Sequence, residues 1–275
     1  MKRTILVSLG LVGLFSLPAA AADLPARMPT KAPMMAPVAY NWSGCYIGGN
    51  AGGKWASTTD SVNIGATTGT PSTTVNFDRS TATTFVGGGQ IGCNYQPAGS
   101  SWVFGVEGDA DWHRWSTSRT LGTTAAPFVA GDIFDVRSDW QASARGRIGY
   151  AFDRTLFYVT GGAAFTNVKV GSNFIPIGIF PATVATDSKT LFGATVGGGF
   201  EYAFMNNWSF GVEGRYTWYG TQTFNAGSVA AFSPGGVPPT FLFAPGTQSI
   251  RLDTFEATAR LNYKFDWGGP VVARY

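Results

Sequence analysis

From Trp42 onward apolar and polar positions alternate, and the alternation recurs in blocks. Between Trp102 and Trp112 one parity carries Trp102, Phe104, Val106, Gly108, Ala110 and Trp112, while the other carries Glu107, Asp109 and Asp111. A strand sends successive side chains to opposite faces, so this block predicts a strand with an apolar face and an acidic one. Residues 139–152 repeat the pattern, with Trp140, Ala142, Ala144, Ile148, Tyr150 and Phe152 opposed to Gln141, Ser143, Arg145 and Arg147. The same reading predicts strands near 44–56, 82–96, 155–167, 190–204, 207–219 and 251–266, which makes eight.

The connections alternate too. Those at 96–100, 153–154 and 205–207 are short, whereas 57–81, 114–138, 168–189 and 220–250 are long and rich in Thr, Ser, Gly, Pro and Asn. Short turns at one end and long loops at the other are the habit of an outer-membrane barrel. A secreted sandwich or lipocalin-like barrel would bury the apolar parity and has no reason for this asymmetry. The prediction is therefore all-β: an eight-stranded antiparallel up-and-down transmembrane β-barrel with four long surface loops and short periplasmic turns. An internal echo supports the count, because WVFGVEG at Trp102 to Gly108 recurs as WSFGVEG at Trp208 to Gly214.

Three segments of different character follow one another. Lys2 and Arg3, an apolar run from Ile5 to Leu17 and small residues up to Ala22 make a cleaved export signal, residues 1–22, with Asp23 starting the mature chain. Residues 23–40 carry prolines at 25, 29, 33 and 37 and predict an extended periplasmic leader without a core. The barrel occupies 41–275. The leader is read as a passive tether; the alternative is a contact arm for the cell wall using Arg27 and Lys31.

Composition narrows the chemistry. Charged residues are 13% of the chain and glycines number 37 of 275, an unusual balance for a soluble domain. Removing Lys2 and Arg3 with the signal leaves 17 basic against 16 acidic residues, so no basic footprint for nucleic acid remains. One histidine and two cysteines give a zinc site almost nothing to build from. No metal or other cofactor is expected.

The charged parity gathers at one depth, about five to seven residues from the short turns: Glu107, Arg145, Arg147, Glu213, Arg215 and Arg260. A barrel of eight strands has room only for side chains, so these charges must pair. They form either a polar plug, the reading favoured, or the gate of a small porin-like diffusion channel. Asp109, Asp111 and His113 share a face at the upper end of their strand and are read as solvated rim residues. A divalent-cation site at the mouth and a lipid-acting enzyme built on His113 are the other readings, and no enzyme is expected. Gly87, Gly89 and Gly92 match a dinucleotide fingerprint only formally, since no helix follows. Cys45 and Cys93 share a parity at the periplasmic ends of neighbouring strands, where an oxidising compartment permits a disulfide if the register brings them together; otherwise they are small apolar girdle residues.

Three stretches carry a resemblance: YNWSGCYIGGNAG at 40–52, GGGQIGCNYQ at 87–96 and LNYKFDWGGPVVARY at 261–275. With them the mature chain resembles the small outer-membrane β-barrel proteins of alphaproteobacteria, the family of the Brucella major surface antigens and their rhizobial relatives. Cysteine at 45 and 93 departs from that pattern. The resemblance implies a cell outer-membrane location and a structural role in envelope integrity at the cell surface. It also implies contact with outer-membrane lipid and lipopolysaccharide, and passage through periplasmic chaperones and the barrel assembly machinery. Phe255 to Phe265 supplies the alternating, aromatic-ended strand that such machinery reads. Haem-compound binding, known among some relatives, does not carry over on His113 alone. The loops are where a phage, host factor or haem compound would bind, and their Thr/Ser/Gly composition selects none of these.

Overall fold

The computed structural model describes residues 40–66, 72–122, 130–176, 183–233 and 240–265. The expected export signal, its expected cleavage between Ala22 and Asp23, residues 23–39 of the expected leader and the terminal 266–275 lie outside the described residues.

Among the described residues nine strands occur: β1 Gly44–Ile64, β2 Thr73–Asn76, β3 Ser80–Tyr95, β4 Trp102–Thr120, β5 Ile133–Phe152, β6 Thr155–Phe174, β7 Thr183–Ala203, β8 Trp208–Ser233 and β9 Thr240–Lys264. The four-residue β2 pairs with the outer end of β1. The other eight form the wall, each antiparallel to the next, and β1 pairs with β9 from Tyr46↔Lys264 to Ile64↔Gly246. That last ladder closes the sheet. Closure leaves no edge, so every wall strand has a partner on both sides.

Tight curvature demands small residues on the inner face. A Cβ on Gly52 would collide with the carbonyl oxygen of Ala257, and one on Gly162 with that of Ala144. Glycine is the only residue these two positions admit without moving backbone.

Exposed aromatics form two belts. Trp102, Tyr150, Phe152, Phe157, Tyr202 and Trp208 lie near the short turns, while Trp55, Phe85, Trp112, Trp140, Phe165, Phe192, Trp218 and Phe255 lie farther out. About ten residues separate the belts; at ~3.3 Å each and a ~40° tilt they span roughly 25 Å of hydrocarbon. Between them the outward side chains are apolar and exposed, including Val106, Ile148, Val159, Val212 and Leu261. Polar side chains fill the inside at the same height.

Beyond the outer belt the polarity inverts. Val136, Val168, Val170, Leu191, Phe224, Ile250 and Leu252 point inward and pack in one buried cluster. Val62, Ile64, Leu121, Phe134, Phe174 and Ala244 make a second. Serine, threonine and charged residues face out. Here the structure corrects the sequence expectation: much of 57–81, 114–138, 168–189 and 220–250, read as loop, is strand. Outside the membrane the wall faces water, so the apolar parity must turn to the interior.

Bulges mark the boundary. Register slips between Trp112 and Trp115 on β4, between Arg137 and Gln141 on β5, and between Trp218 and Thr221 on β8. The buried parity of β5 changes there, from Val136 and Ser138 to Gln141 and Ser143. The Asn167 side-chain oxygen accepts both amides at the β5 bulge, Asp139 and Trp140, each at 3.1 Å.

Ile250 and Leu252 are buried in the extramembrane cluster, so replacing either by alanine should cost about 2–4 kcal/mol there. We expect protease to nick the outer extension of these variants while the fold between the belts keeps its unboiled gel mobility. Equal protease resistance of variant and wild type would show that this cluster does not hold the extension.

Candidate functional site

Among the described residues the interior between the belts contains six carboxylates, Glu107, Asp109, Asp111, Glu201, Glu213 and Glu256, and five cations, Lys54, Arg145, Arg147, Arg215 and Arg260. All eleven are buried. Strand parity delivers them, since each occupies the inward position of a strand whose outward neighbours are apolar.

Arg145 on β5 is one centre. Its Nη1 donates to Glu213 at 2.5 Å, and its Nη2 to Glu107 at 2.5 Å and Asp109 at 2.9 Å. Arg260 on β9 closes the ring by donating to Glu107 and Glu213. Arg147 pairs with Glu201 at 2.7 Å and stacks its guanidinium 3.8 Å from the Tyr158 ring centroid. Arg215 is the second centre, bonded to Asp109 and Asp111 at 2.9 and 2.8 Å and to Glu256. Lys54 reaches Glu256 at 3.1 Å. The planar guanidinium serves two or three carboxylates at once, which a lysine ammonium on the same stem does not do with fixed geometry.

Neutral groups join the charges into one network. Tyr46 donates to Glu107 and Tyr158 donates to Glu213 at 3.0 Å. The Asn50 amide donates to Gln90 and Asp111, Gln90 donates to Asn262, and Asn262 donates to Glu201. Gln141 donates to Asp111 and Glu256. All eight wall strands contribute.

The six charges read from sequence, Glu107, Arg145, Arg147, Glu213, Arg215 and Arg260, all lie in this network. Asp109, Asp111 and His113 are not at a solvated rim. They are buried, and His113 sits between the Ser138 hydroxyl at 2.9 Å and the Lys54 ammonium. The wall continues beyond the outer belt, so what looked like the barrel mouth is its middle. Lys54, Glu201 and Glu256 went unread as lumen groups. Their inward parity was available, but Lys54 lies in a Gly-rich run with few alternating neighbours.

Apolar layers close the network at both ends. Above it lies the extramembrane cluster around Trp115, Val168 and Leu252. Below it Trp42, which precedes β1, packs against Val103, Ala151, Leu156 and Ala203 at the short-turn ends of β4 to β7. The Trp42 indole donates to the Asp153 carbonyl at 3.2 Å and its amide to Gln96 at 2.9 Å. No periodicity pointed to Trp42, because it belongs to no strand.

Higher still, between the two extramembrane clusters, Thr58, Asp60, Ser172 and Gln248 carry buried polar atoms without partners. Burial raises the Asp60 carboxyl above its ordinary value of 3.8, opposed by the charge of Arg119. Cys45 and Cys93 are register partners on β1 and β3 and are disulfide-bonded, on the outward face near the short turns.

The sequence pattern of the family described as outer membrane protein beta-barrel domain matches residues 7–265. The chain is 35% identical over 226 residues to a 31 kDa outer-membrane immunogenic protein of Brucella melitensis, covering 79% of this chain and 87% of that one. It is 32% identical over 197 residues to a 22 kDa outer membrane protein of Rhizobium leguminosarum bv. viciae, covering 72% and 73%. Among solved structures it aligns with the outer membrane protein OprG of Pseudomonas aeruginosa at 12% identity and a TM-score of 0.46, over 82% of this chain and 98% of that one.

Two predictions follow from the lumen and the layer above it. Arg145→Ala leaves Glu107 and Glu213 to share Arg260 in a dry interior and should cost about 3–5 kcal/mol, lowering the temperature at which the folded gel band is lost. An unchanged midpoint would contradict the pairing. Asp60 favours the fold in its protonated form, so its contribution is full below pH 3.8 and is lost as pH rises through its elevated value. The extension should therefore resist an acid-tolerant protease better at acid than at neutral pH, and Asp60→Asn should flatten that difference.

Proposed function

Because the chain belongs to the outer membrane protein β-barrel family and resides in the outer membrane, we propose that its work is structural. It is a closed, non-conducting, non-enzymatic barrel that anchors a β-sheet extension at the cell surface and contributes to envelope integrity. One observation carries the reading. Each of the eleven lumen charges is ion-paired, and the network they form lies between an apolar layer at Trp42 and another at Leu252. An ion entering this interior would have to leave its water for a space whose charges are already satisfied. The Ser138 hydroxyl beside the His113 imidazole is fully buried and also bonded to Thr166, out of reach of a substrate. The names of the Brucella relatives, outer-membrane immunogenic proteins, agree with display at the surface.

The test is single-channel recording of refolded mature protein, residues 23–275, in planar bilayers, with folding checked by the mobility difference between unheated and boiled samples. A verified barrel should be silent. Reproducible steps that change when Glu107 or Arg147 is neutralised would replace the plug by a charged gate, making the protein a small diffusion channel.

A further inference from the structure

Two of the ladders that join the eight wall strands stop at the outer aromatic belt. β3 pairs with β4 from Tyr95↔Phe104 up to Val86↔His113, and β7 pairs with β8 from Ala203↔Ser209 up to Ala194↔Trp218. Their neighbours run on, β1–β3 to Thr58↔Ser80 and β4–β5 to Thr120↔Ile133. Above the belt the wall is therefore parted along two seams, into a sheet β4–β5–β6–β7 and a sheet β8–β9–β1–β3. The bulges after Trp112 and Trp218 stand at the feet of the seams, where they turn β4 and β8 away from the strands they leave.

An unpaired strand edge is a template for another chain, and proteins blunt such edges with charged side chains. The β7–β8 seam is blunted in that way. Lys189 donates to the Thr223 carbonyl, and the Asp187 carboxylate accepts the Asn225 amide at 2.9 Å. The β3–β4 seam is not. Leu121 directs its amide to the Asp132 carbonyl, on the β5 side, at 2.9 Å, and the direction of backbone bonding alternates along an antiparallel strand. Thr117 and Arg119 therefore also bond toward β5, which aims the amides and carbonyls of Ser116, Ser118 and Thr120 into the seam. Among the described residues two hydrogen bonds cross it, from the Thr84 hydroxyl to the Arg114 carbonyl at 2.7 Å and from Arg119 to the Asp78 carbonyl. Neither uses the backbone of those three residues. Thr117 and Arg119 are half-buried where Thr58 and Asp60 on β1 are buried, so water reaches the seam.

From Ser116 to Thr120 this edge runs about 13 Å, the reach of a strand of about five residues. Charge selects the occupant. Arg79, Arg114, Arg119 and Arg137 surround the edge against Asp78 and Asp135, and Arg137 faces a further cation, Lys169, across β5 and β6. A second copy of the chain would bring the same positive excess, whereas an acidic strand complements it. We propose that the β4 edge at Ser116, Ser118 and Thr120 takes an extended acidic segment of a partner protein by strand addition. The segment's main chain supplies the ladder that β3 does not, and its carboxylates meet Arg114 and Arg137 on the outer face. The inference rests on the register of the extension and not on a plugged lumen, so conductance and strand addition fail independently.

The test titrates refolded mature protein in neutral detergent micelles with a fluorescent seven-residue peptide of alternating threonine and glutamate, read by anisotropy. The same peptide methylated on alternate backbone amides, in either phase, and a lysine-for-glutamate version are the comparisons. The unmethylated glutamate peptide should bind, and methylation in one phase should weaken it about tenfold for each backbone bond lost. Ser118 gives no backbone bond to β5, so Ser118→Pro removes an edge donor and spares the β4–β5 ladder; it should weaken binding about tenfold with the gel mobility and protease resistance of wild type. Arg114→Gln should cost up to about fivefold, and Arg251→Gln on β9, away from the seam, should cost nothing. Absence of binding at millimolar peptide, equal binding of both methylated forms, or full binding by a folded Ser118→Pro overturns the inference. Because the methylated peptides are read on unaltered protein, misfolding of the proline variant does not spare it. Equal binding of the lysine peptide would refute the acidic partner, and a dimer of wild-type protein lost in Ser118→Pro would replace that partner by a second copy.

Discussion

Hydrocarbon offers a backbone no hydrogen-bond partner, and almost everything in this molecule descends from that constraint. A sheet in lipid must close on itself, and the β1–β9 ladder does so. Closing with only eight wall strands makes the interior narrow, which forces glycine at Gly52 and Gly162 and leaves no room for bulk water around polar side chains. The inward parity is nonetheless polar, because the outward parity must be apolar to meet lipid. Those two demands together produce a buried lattice of ion pairs. Arginine dominates its positive side because one guanidinium can satisfy carboxylates from several strands.

A second consequence appears at the outer belt, where the wall leaves lipid for water. The same strands continue, but the face that must avoid solvent is now the inner one. Val168, Ile250 and Leu252 pack inside the extension, while Arg114, Arg137 and Lys189 stand on its surface. Three bulges at this height let the strands turn and let the parity of β5 change without breaking the ladder. The molecule is thus a membrane barrel and a small water-facing β-barrel core built from one set of strands. The interior charges lie between an apolar layer at Trp42 and another in the extension, an arrangement suited to holding a surface structure in place.

The boundary is also where sequence reading stopped. Strands were expected to begin at 139 and end at 219, and these are the bulge positions of β5 and β8, where period two is interrupted. Beyond them the alternation resumes with inverted polarity and with threonine and serine on the outward side, which resembles loop when lipid is assumed outside. The misplacement of Asp109, Asp111 and His113 at a rim follows from the same early stop. Once the wall extends past Trp112, those positions are interior, and an interior position in so narrow a barrel is a buried one.

What the chain's own order of residues determined is the set of alternating blocks, their parity, their even number in the membrane and the depth at which Glu107, Arg145, Arg147, Glu213, Arg215 and Arg260 fall. These are local properties, because strand period and the sign of each face can be read one block at a time. Which carboxylate meets which guanidinium was decided only by the closed sheet. Arg145 joins Glu107, Asp109 and Glu213, from β4 and β8, through register and the short distance across the lumen. The apolar layer at Trp42 and the opposition of Arg137 to Lys169 are likewise products of closure and pairing. A linear pattern states which face a side chain takes; only the folded wall sets its neighbours, because those neighbours come from strands far away in the chain.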